Sequence, residues 1–232
     1  MATTRDNNVT YHHQLQSTPC ELPVGKAVCV GRNYADHAKE LNNPIPSSPL
    51  LFIKPSTAIV PFEPAINVPA DKGVCHFELE VALLIGQRLS QASADDVMPA
   101  ILGYGLALDL TLRELQSQLK EKGQPWEKAK AFDGALPLSP FVPASEVPEW
   151  RALGLQLYRN GQLQQDGACR DMLFGISDLL AEISNSFTLL PGDVVLTGTP
   201  AGVGPLQPGD SLDARLILAG QSLLQIHSQI SA

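Results

Sequence analysis

The two most apolar strand candidates of the chain are 78–85 and 102–110, with a polar segment between them long enough for a short helix. Around them the pattern alternates short strands with few helices. Residues 26–30 form an apolar strand that ends in Gly31-Arg32-Asn33-Tyr34, and 35–42 has helical composition up to Asn42-Asn43-Pro44, where proline stops it. Strands at 50–54 and 58–60 are separated by Pro55. A helical pattern over 111–122 ends at Gly123, a good helix stop. Segments 153–158 and 162–165 flank Arg159-Asn160-Gly161, and Asn-Gly between alternating segments predicts a hairpin. A helix is expected over 172–184, with Leu173, Ile176, Leu179, Leu180 and Ile183 on its apolar side. Residues 193–197 form a strand that enters a glycine-rich segment, and strands 212–218 and 222–226 close the chain around Ala219-Gly220. Residues 1–24 read as a polar N-terminal arm, and 25–232 as one β-rich α+β domain.

Composition narrows the function classes. The 19 prolines and 18 glycines of the 232 residues suit strands and loops better than a helical bundle. With 16 Lys+Arg against 24 Asp+Glu, the formal charge of −8 argues against nucleic acid as a partner. No apolar run approaches the ~18 residues of a membrane helix, and the first residues lack the apolar centre of a secretory signal. Cys20, Cys29, Cys75 and Cys169 are scattered without Cys-x-x-Cys spacing, which fits reduced thiols of a cytoplasmic protein.

The candidate chemistry starts at His76-Phe77-Glu78-Leu79-Glu80. On a strand, residues two apart share a face with Cα atoms ~7 Å apart, so Glu78 and Glu80 repel unless a cation or proton lies between them. A hard divalent ion satisfies them, and so does solvent on the outer face of a half-buried strand. Asp109, where the second apolar strand meets a helix, offers a third carboxylate or, equally, an ordinary helix N-cap. His37 and Glu40, three apart on a short helix, suit general-base activation of water or are a solvated surface pair. His76 adjoins the glutamates as a donor to them. Ala129 and Ala131 around Lys130 suggest a strand on which Lys128 and Lys130 face one way, with Lys130 placed to hold a substrate oxygen or simply exposed. The segment Gly198-Thr199-Pro200-Ala201-Gly202-Val203-Gly204 lacks the Gly-Lys-Ser/Thr of a nucleotide loop, and Pro200 removes a backbone donor. It retains N–H groups and the Thr199 hydroxyl for a small carboxylate. No Gly-x-Ser-x-Gly elbow supports a serine hydrolase.

Six ordered blocks together resemble the fumarylacetoacetate hydrolase family, in its small acylpyruvate-hydrolase-like and oxaloacetate tautomerase/decarboxylase-like branch. They are Val30-Gly31-Arg32-Asn33-Tyr34-Ala35-Asp36-His37, Leu51-Phe52-Ile53-Lys54-Pro55-Ser56-Thr57, His76 to Glu80, Leu108-Asp109-Leu110-Thr111, Gln124 to Asp133, and Leu196-Thr197-Gly198-Thr199-Pro200. The resemblance implies a mixed β-roll or sandwich with a few short helices, and an enzyme of small 2-oxo/2-enol acids. It implies Glu78, Glu80 and Asp109 as ligands of Mg²⁺ or Mn²⁺, with His37, Glu40 and Lys130 catalytic. Arg32, Asn33, Arg113, Gln116, Gly198 and Thr199 would bind substrate. The implied chemistry runs through a metal-stabilised enolate, in acylpyruvate C–C hydrolysis or in oxaloacetate tautomerisation or decarboxylation. Alternatives are an isomerase of 2-hydroxyhepta-2,4-diene-1,7-dioate type and a catalytically idle oxo-acid-binding protein. A homodimer is implied by the same resemblance.

Overall fold

A computed structural model of the chain describes residues 11–16 and 18–231. The large sheet runs in the order Leu50–Lys54, Ala27–Gly31, Val194–Leu196, Leu79–Ile85, Ile101–Leu108, Leu136–Leu138 and Ile59–Pro61, with Val142–Pro143 also paired to Ile101–Leu108. It is mixed: Val194–Leu196 lies parallel to Ala27–Gly31 and antiparallel to Leu79–Ile85. Leu79–Ile85 is central, and all seven of its residues are buried. A strand covered on both faces reads as an apolar run without alternation, here 81–85, and Glu80 is its one charged position.

The second sheet is ordered Gln162–Ala168, Leu153–Arg159, Ser211–Leu218, Gln221–Ser231 and Ala65–Asn67. Here Leu153–Arg159 and Ser211–Leu218 alternate buried and half-buried residues, as sheets with one packed face do. The predicted hairpin closes at Asn160 (φ 52°) and Gly161 (φ 76°), both left-handed as a two-residue turn of this type requires. A small third sheet joins Thr111–Leu112, Cys75–Phe77 and Gly204–Pro205. The fold is the β-rich architecture that the sequence implied, with few helices.

Four helices matter: α1 (Ala35–Glu40), α2 (Arg113–Glu121), α3 (Glu127–Lys130) and α4 (Ile176–Ser186). α2 starts two residues later than its pattern predicts, because Thr111 and Leu112 pair with His76 and Cys75. α4 starts four residues late for a similar reason: Met172 bridges Tyr34, and Leu173 donates its N–H to the Asn33 carbonyl. Residues 1–10 of the predicted arm lie outside the described residues. The rest of the arm packs on the body, where His13 is buried with Nε2 2.9 Å from the Gly192 carbonyl oxygen. The four cysteines are free. No helix among the described residues is long and apolar enough to cross a membrane.

Candidate metal centre and active site

Glu78 immediately precedes the central strand and Glu80 is its second residue, so both point into one cleft from the rim of the large sheet. Asp109 follows the neighbouring strand, and its N–H donates to the Glu78 carbonyl at 2.8 Å, which fixes the two carboxylate-bearing segments together. The N-cap alternative for Asp109 does not hold: the cap position of α2 is Leu112, and no side chain caps it. The carboxylates of Glu78, Glu80 and Asp109 are all buried, with one oxygen from each lying within 4.8 Å of the others. The solvent-facing alternative for the glutamates is excluded with it.

Three cations balance this charge. Lys130 Nζ lies 2.8 Å from Glu78 Oε2 and 2.6 Å from Asp109 Oδ2. Arg113 donates through Nη2 to Glu78 Oε1 and through Nη1 to Gln116 Oε1 at 3.0 Å. Lys54, fully buried, donates to the carbonyl oxygens of Leu110 (3.3 Å), Ala135 (3.0 Å) and Lys130. Its Nζ also lies 2.8 Å from Asp109 Oδ1. Carbonyls take all three ammonium protons, so Asp109 Oδ1 faces a positive charge yet receives no hydrogen bond.

These neighbours split the two glutamates. Burial alone raises both. At Glu78 the charges of Lys130, Arg113 and His37 overturn that and hold the carboxyl well below the usual range. Glu80 has no cation of its own and stands far above the usual value, because burial is reinforced by Asp109 and Glu78. The Gly198 N–H, 2.6 Å from Glu80 Oε2, only partly offsets this. Burial works to discharge Lys130, and Asp109 and Glu78 reverse it, so its pKa lies above the ordinary lysine value. A buried cluster of carboxylate oxygens, one without a hydrogen bond and one carboxyl with excess proton affinity, is a donor set that fits a hard divalent cation.

A small cavity of about 40 Å³ opens over the cluster, bordered by Arg32, His37, Gln116, Lys120, Trp126 and Thr199 among others. His37 is buried on α1, with Nδ1 3.3 Å from Glu40 Oε2. Glu40 Oε1 in turn accepts from the Gly202 N–H at 3.1 Å. Gly202 has φ 96°, and a Cβ there would fall 1.9 Å from the Gln164 carbonyl oxygen, so only glycine fits this anchor.

Four of the expectations change. Asn33 is fully buried and committed elsewhere: its Nδ2 donates to Phe174 and Thr197 carbonyls at 3.0 and 2.8 Å, and its Oδ1 accepts from Phe174 N–H at 2.7 Å. It braces the loop and does not border the cavity. Gly198 likewise spends its N–H on Glu80. The expected Lys128/Lys130 strand is α3, a helix, in which residues two apart point to different sides; Lys130 is buried and Lys128 exposed. His76 sits on Cys75–Phe77 with Nδ1 buried and unpartnered, and it bonds neither glutamate among the described residues.

Sequence reasoning passed over Lys54, Lys120 and Gln165. Lys54 had a signal, a lysine ending the apolar strand Leu50–Lys54. Lys120 had one too, since Arg113, Gln116 and Lys120 lie at i, i+3 and i+7 on one side of α2. Gln165 had none. It is fully buried, accepts from Leu79 N–H at 3.0 Å, and donates to Thr199 Oγ1 at 2.7 Å and the Pro200 carbonyl at 2.9 Å.

Three acidic ligand candidates at the rim of a central sheet, with lysines and an arginine beside them and a His–Glu pair opposite, define an enzyme site built for small anions. The chain belongs to the fumarylacetoacetate hydrolase family: the model described as "Fumarylacetoacetate (FAA) hydrolase C-terminal" matches residues 26–228. It is 52% identical over 204 residues to oxaloacetate tautomerase YcgM of Escherichia coli (strain K12), covering 87% of this chain and 92% of that protein. It is 43% identical over 187 residues to the human mitochondrial oxaloacetate tautomerase FAHD1, covering 81% and 85%. Among solved structures, fumarylpyruvate hydrolase from Pseudomonas aeruginosa in complex with Mn²⁺ and pyruvate superposes with a TM-score of 0.88 at 31% identity, covering 95% of each chain. The protein is an enzyme of this family.

Proposed function

We propose that this enzyme interconverts the enol and keto forms of oxaloacetate, with Mg²⁺ or Mn²⁺ held by Glu78, Glu80 and Asp109. The observation that carries the reading is the charge of the site. Lys54, Lys130 and Arg113 equal the three carboxylates in number, so a divalent ion leaves a net positive pocket, with Arg32 and Lys120 adding to it at the border. Such a pocket favours a dianion, and 43–52% identity to oxaloacetate tautomerases supports that choice. The bound ion supplies a Lewis acid for negative charge developing on the 2-oxygen.

The chain's own residues supply the rest. Conversion of enol to keto removes one proton from the 2-oxygen and delivers one to C3. Glu40 ties up His37 Nδ1, which leaves Nε2 as the nitrogen that exchanges the proton at C3. The proton of the 2-oxygen passes to water, His37 regains from water the proton it gives to C3, and Lys130, kept protonated by its carboxylate neighbours, faces the 2-oxygen as charge develops there. Arg113, oriented by Gln116, holds a substrate carboxylate; Thr199 borders the cavity, but its hydroxyl donates to the Leu79 carbonyl at 2.8 Å and so positions the loop.

A second reading, hydrolysis of acylpyruvates, uses the same His37–Glu40 pair to activate water, and likeness to fumarylpyruvate hydrolase supports it. The deciding experiment follows keto–enol exchange and decarboxylation of oxaloacetate separately, beside cleavage of acetylpyruvate and fumarylpyruvate, with Mg²⁺ and with chelator. Metal-dependent exchange that outpaces every cleavage is expected. His37→Gln should lower exchange by about 10²–10⁴-fold with metal affinity kept. Exchange at the background rate, or unaffected by chelator, sinks the proposal.

A further inference from the structure

A second, apolar cavity of about 400 Å³ adjoins the metal pocket of about 40 Å³. The two share Leu50, Phe52, Trp126 and Lys130, which therefore stand between them. Beyond this partition the walls are Leu51, Ile53, Pro125 and Phe187, with Glu127 the one further charged neighbour. On the near side lie the carboxylates and their cations. The partition separates two spaces of opposite chemistry.

Its body is an aromatic pair. Phe52 and Trp126 meet edge to face, with ring centroids 6.2 Å apart and planes at 60°. Each ring is held by a cation of the polar pocket: Lys130 Nζ lies 5.2 Å from the Phe52 centroid and Lys120 Nζ 5.1 Å from that of Trp126. Phe52 also shares a strand face with Lys54, two residues on, so the strand that neutralises Asp109 also supplies the wall. Cation–π contacts of this kind favour one ring placement over rotation into the pocket.

We propose that Phe52 and Trp126 set the upper size limit of the substrate: they close the metal pocket against an apolar annex, and so confine the enzyme to oxo-acids with a short, polar distal group. The inference rests on the oxo-acid reading of the metal pocket and adds what selects among oxo-acids. With the wall cut back, the annex takes the apolar arm of a larger oxo-acid whose carboxylate and 2-oxo group stay over Glu78, Glu80 and Asp109. Wall removal gives that arm an apolar surface in place of a steric clash, so affinity for large ligands rises while the head-group contacts persist.

The test measures binding rather than turnover. Oxamate and N-phenyloxamate share an unreactive carboxylate–carbonyl head and differ in an apolar arm. Calorimetric titration with Mg²⁺ present gives the ratio of their Kd values in the wild type, Trp126→Ala and Phe52→Ala. Wild type is expected to prefer oxamate. Either truncated variant should move the ratio toward N-phenyloxamate by about tenfold or more, with oxamate affinity changed far less. An unchanged ratio in whichever truncated variant keeps a cooperative melt overturns the inference. A wild type that binds neither compound is a different result: it overturns the oxo-acid reading, and this inference with it.

Discussion

Glu78 and Glu80 are two residues apart, yet their surroundings assign them opposite proton affinities. Lys130 and Arg113 both contact Glu78, whereas Glu80 has one backbone N–H and two anionic neighbours. A carboxyl whose folded pKa exceeds its ordinary 4.5 binds more protons folded than unfolded between the two values. Stability therefore falls progressively as pH climbs from 4.5, where the unfolded carboxyl ionises, through the folded value of Glu80, and the whole penalty is present above it. A bound divalent ion reverses that penalty. Without metal above about pH 5, Glu80→Gln should melt higher than wild type, and Mg²⁺ should no longer raise its Tm. Scanning melts between about pH 5 and 8, with and without Mg²⁺, checks both halves. A wild-type metal response in Glu80→Gln removes Glu80 from the ligand set.

Between elements, the site depends on long-range braces. Gln165, on Gln162–Ala168 of the five-stranded sheet, ties the first residue of Leu79–Ile85 to Thr199 and Pro200 in the glycine-rich loop. Gln165→Leu keeps the volume and leaves buried groups unpaired, each costing about 1–3 kcal/mol. The expected result is a Tm drop together with a higher KM, read from thermal melts and steady-state kinetics; a variant with a lower Tm and unchanged KM would limit Gln165 to folding. No pattern in the sequence marks this residue, because its partners are 34 to 86 residues away. Asn33 escaped for the same reason: its loop-bracing bonds reach 141 and 164 residues along the chain. What local sequence does record is local physics. The apolar run at 81–85 marks a strand buried on both faces, Asn160-Gly161 marks a left-handed turn, and Gly123 (φ 61°) ends α2. Alternating alanines misled at Lys128 and Lys130, since four residues cannot distinguish a strand from a single helical turn. The residues alone leave the carboxylate triad as one of two readings and the resemblance chooses it, because Asp109 meets the glutamates by strand pairing across about thirty positions.

Over the whole molecule the charge is −8, so the surface repels the dianion that the pocket is proposed to hold. Capture then depends on the few cations at the mouth, and Lys120 is one whose charge is in play near neutrality. Burial lowers its pKa to about 8, and Arg32, Arg113 and Lys130 add to the effect. As pH passes through about 8, Lys120 loses its proton and the mouth loses a positive charge. The KM for a dianionic oxo-acid should therefore rise across that pH, by roughly fivefold for an interaction of about 1 kcal/mol, with kcat little changed. Lys120→Met should show the higher KM at every pH and no inflection. Lys120→Arg, charged throughout, should carry the low KM to more alkaline pH. Added salt should raise the wild-type KM below that pH more than that of Lys120→Met, because screening acts on a charge the variant lacks. Parallel pH profiles for wild type and Lys120→Met would mean that the pocket's deeper cations, Arg113 and Lys130, capture the substrate without help from the mouth.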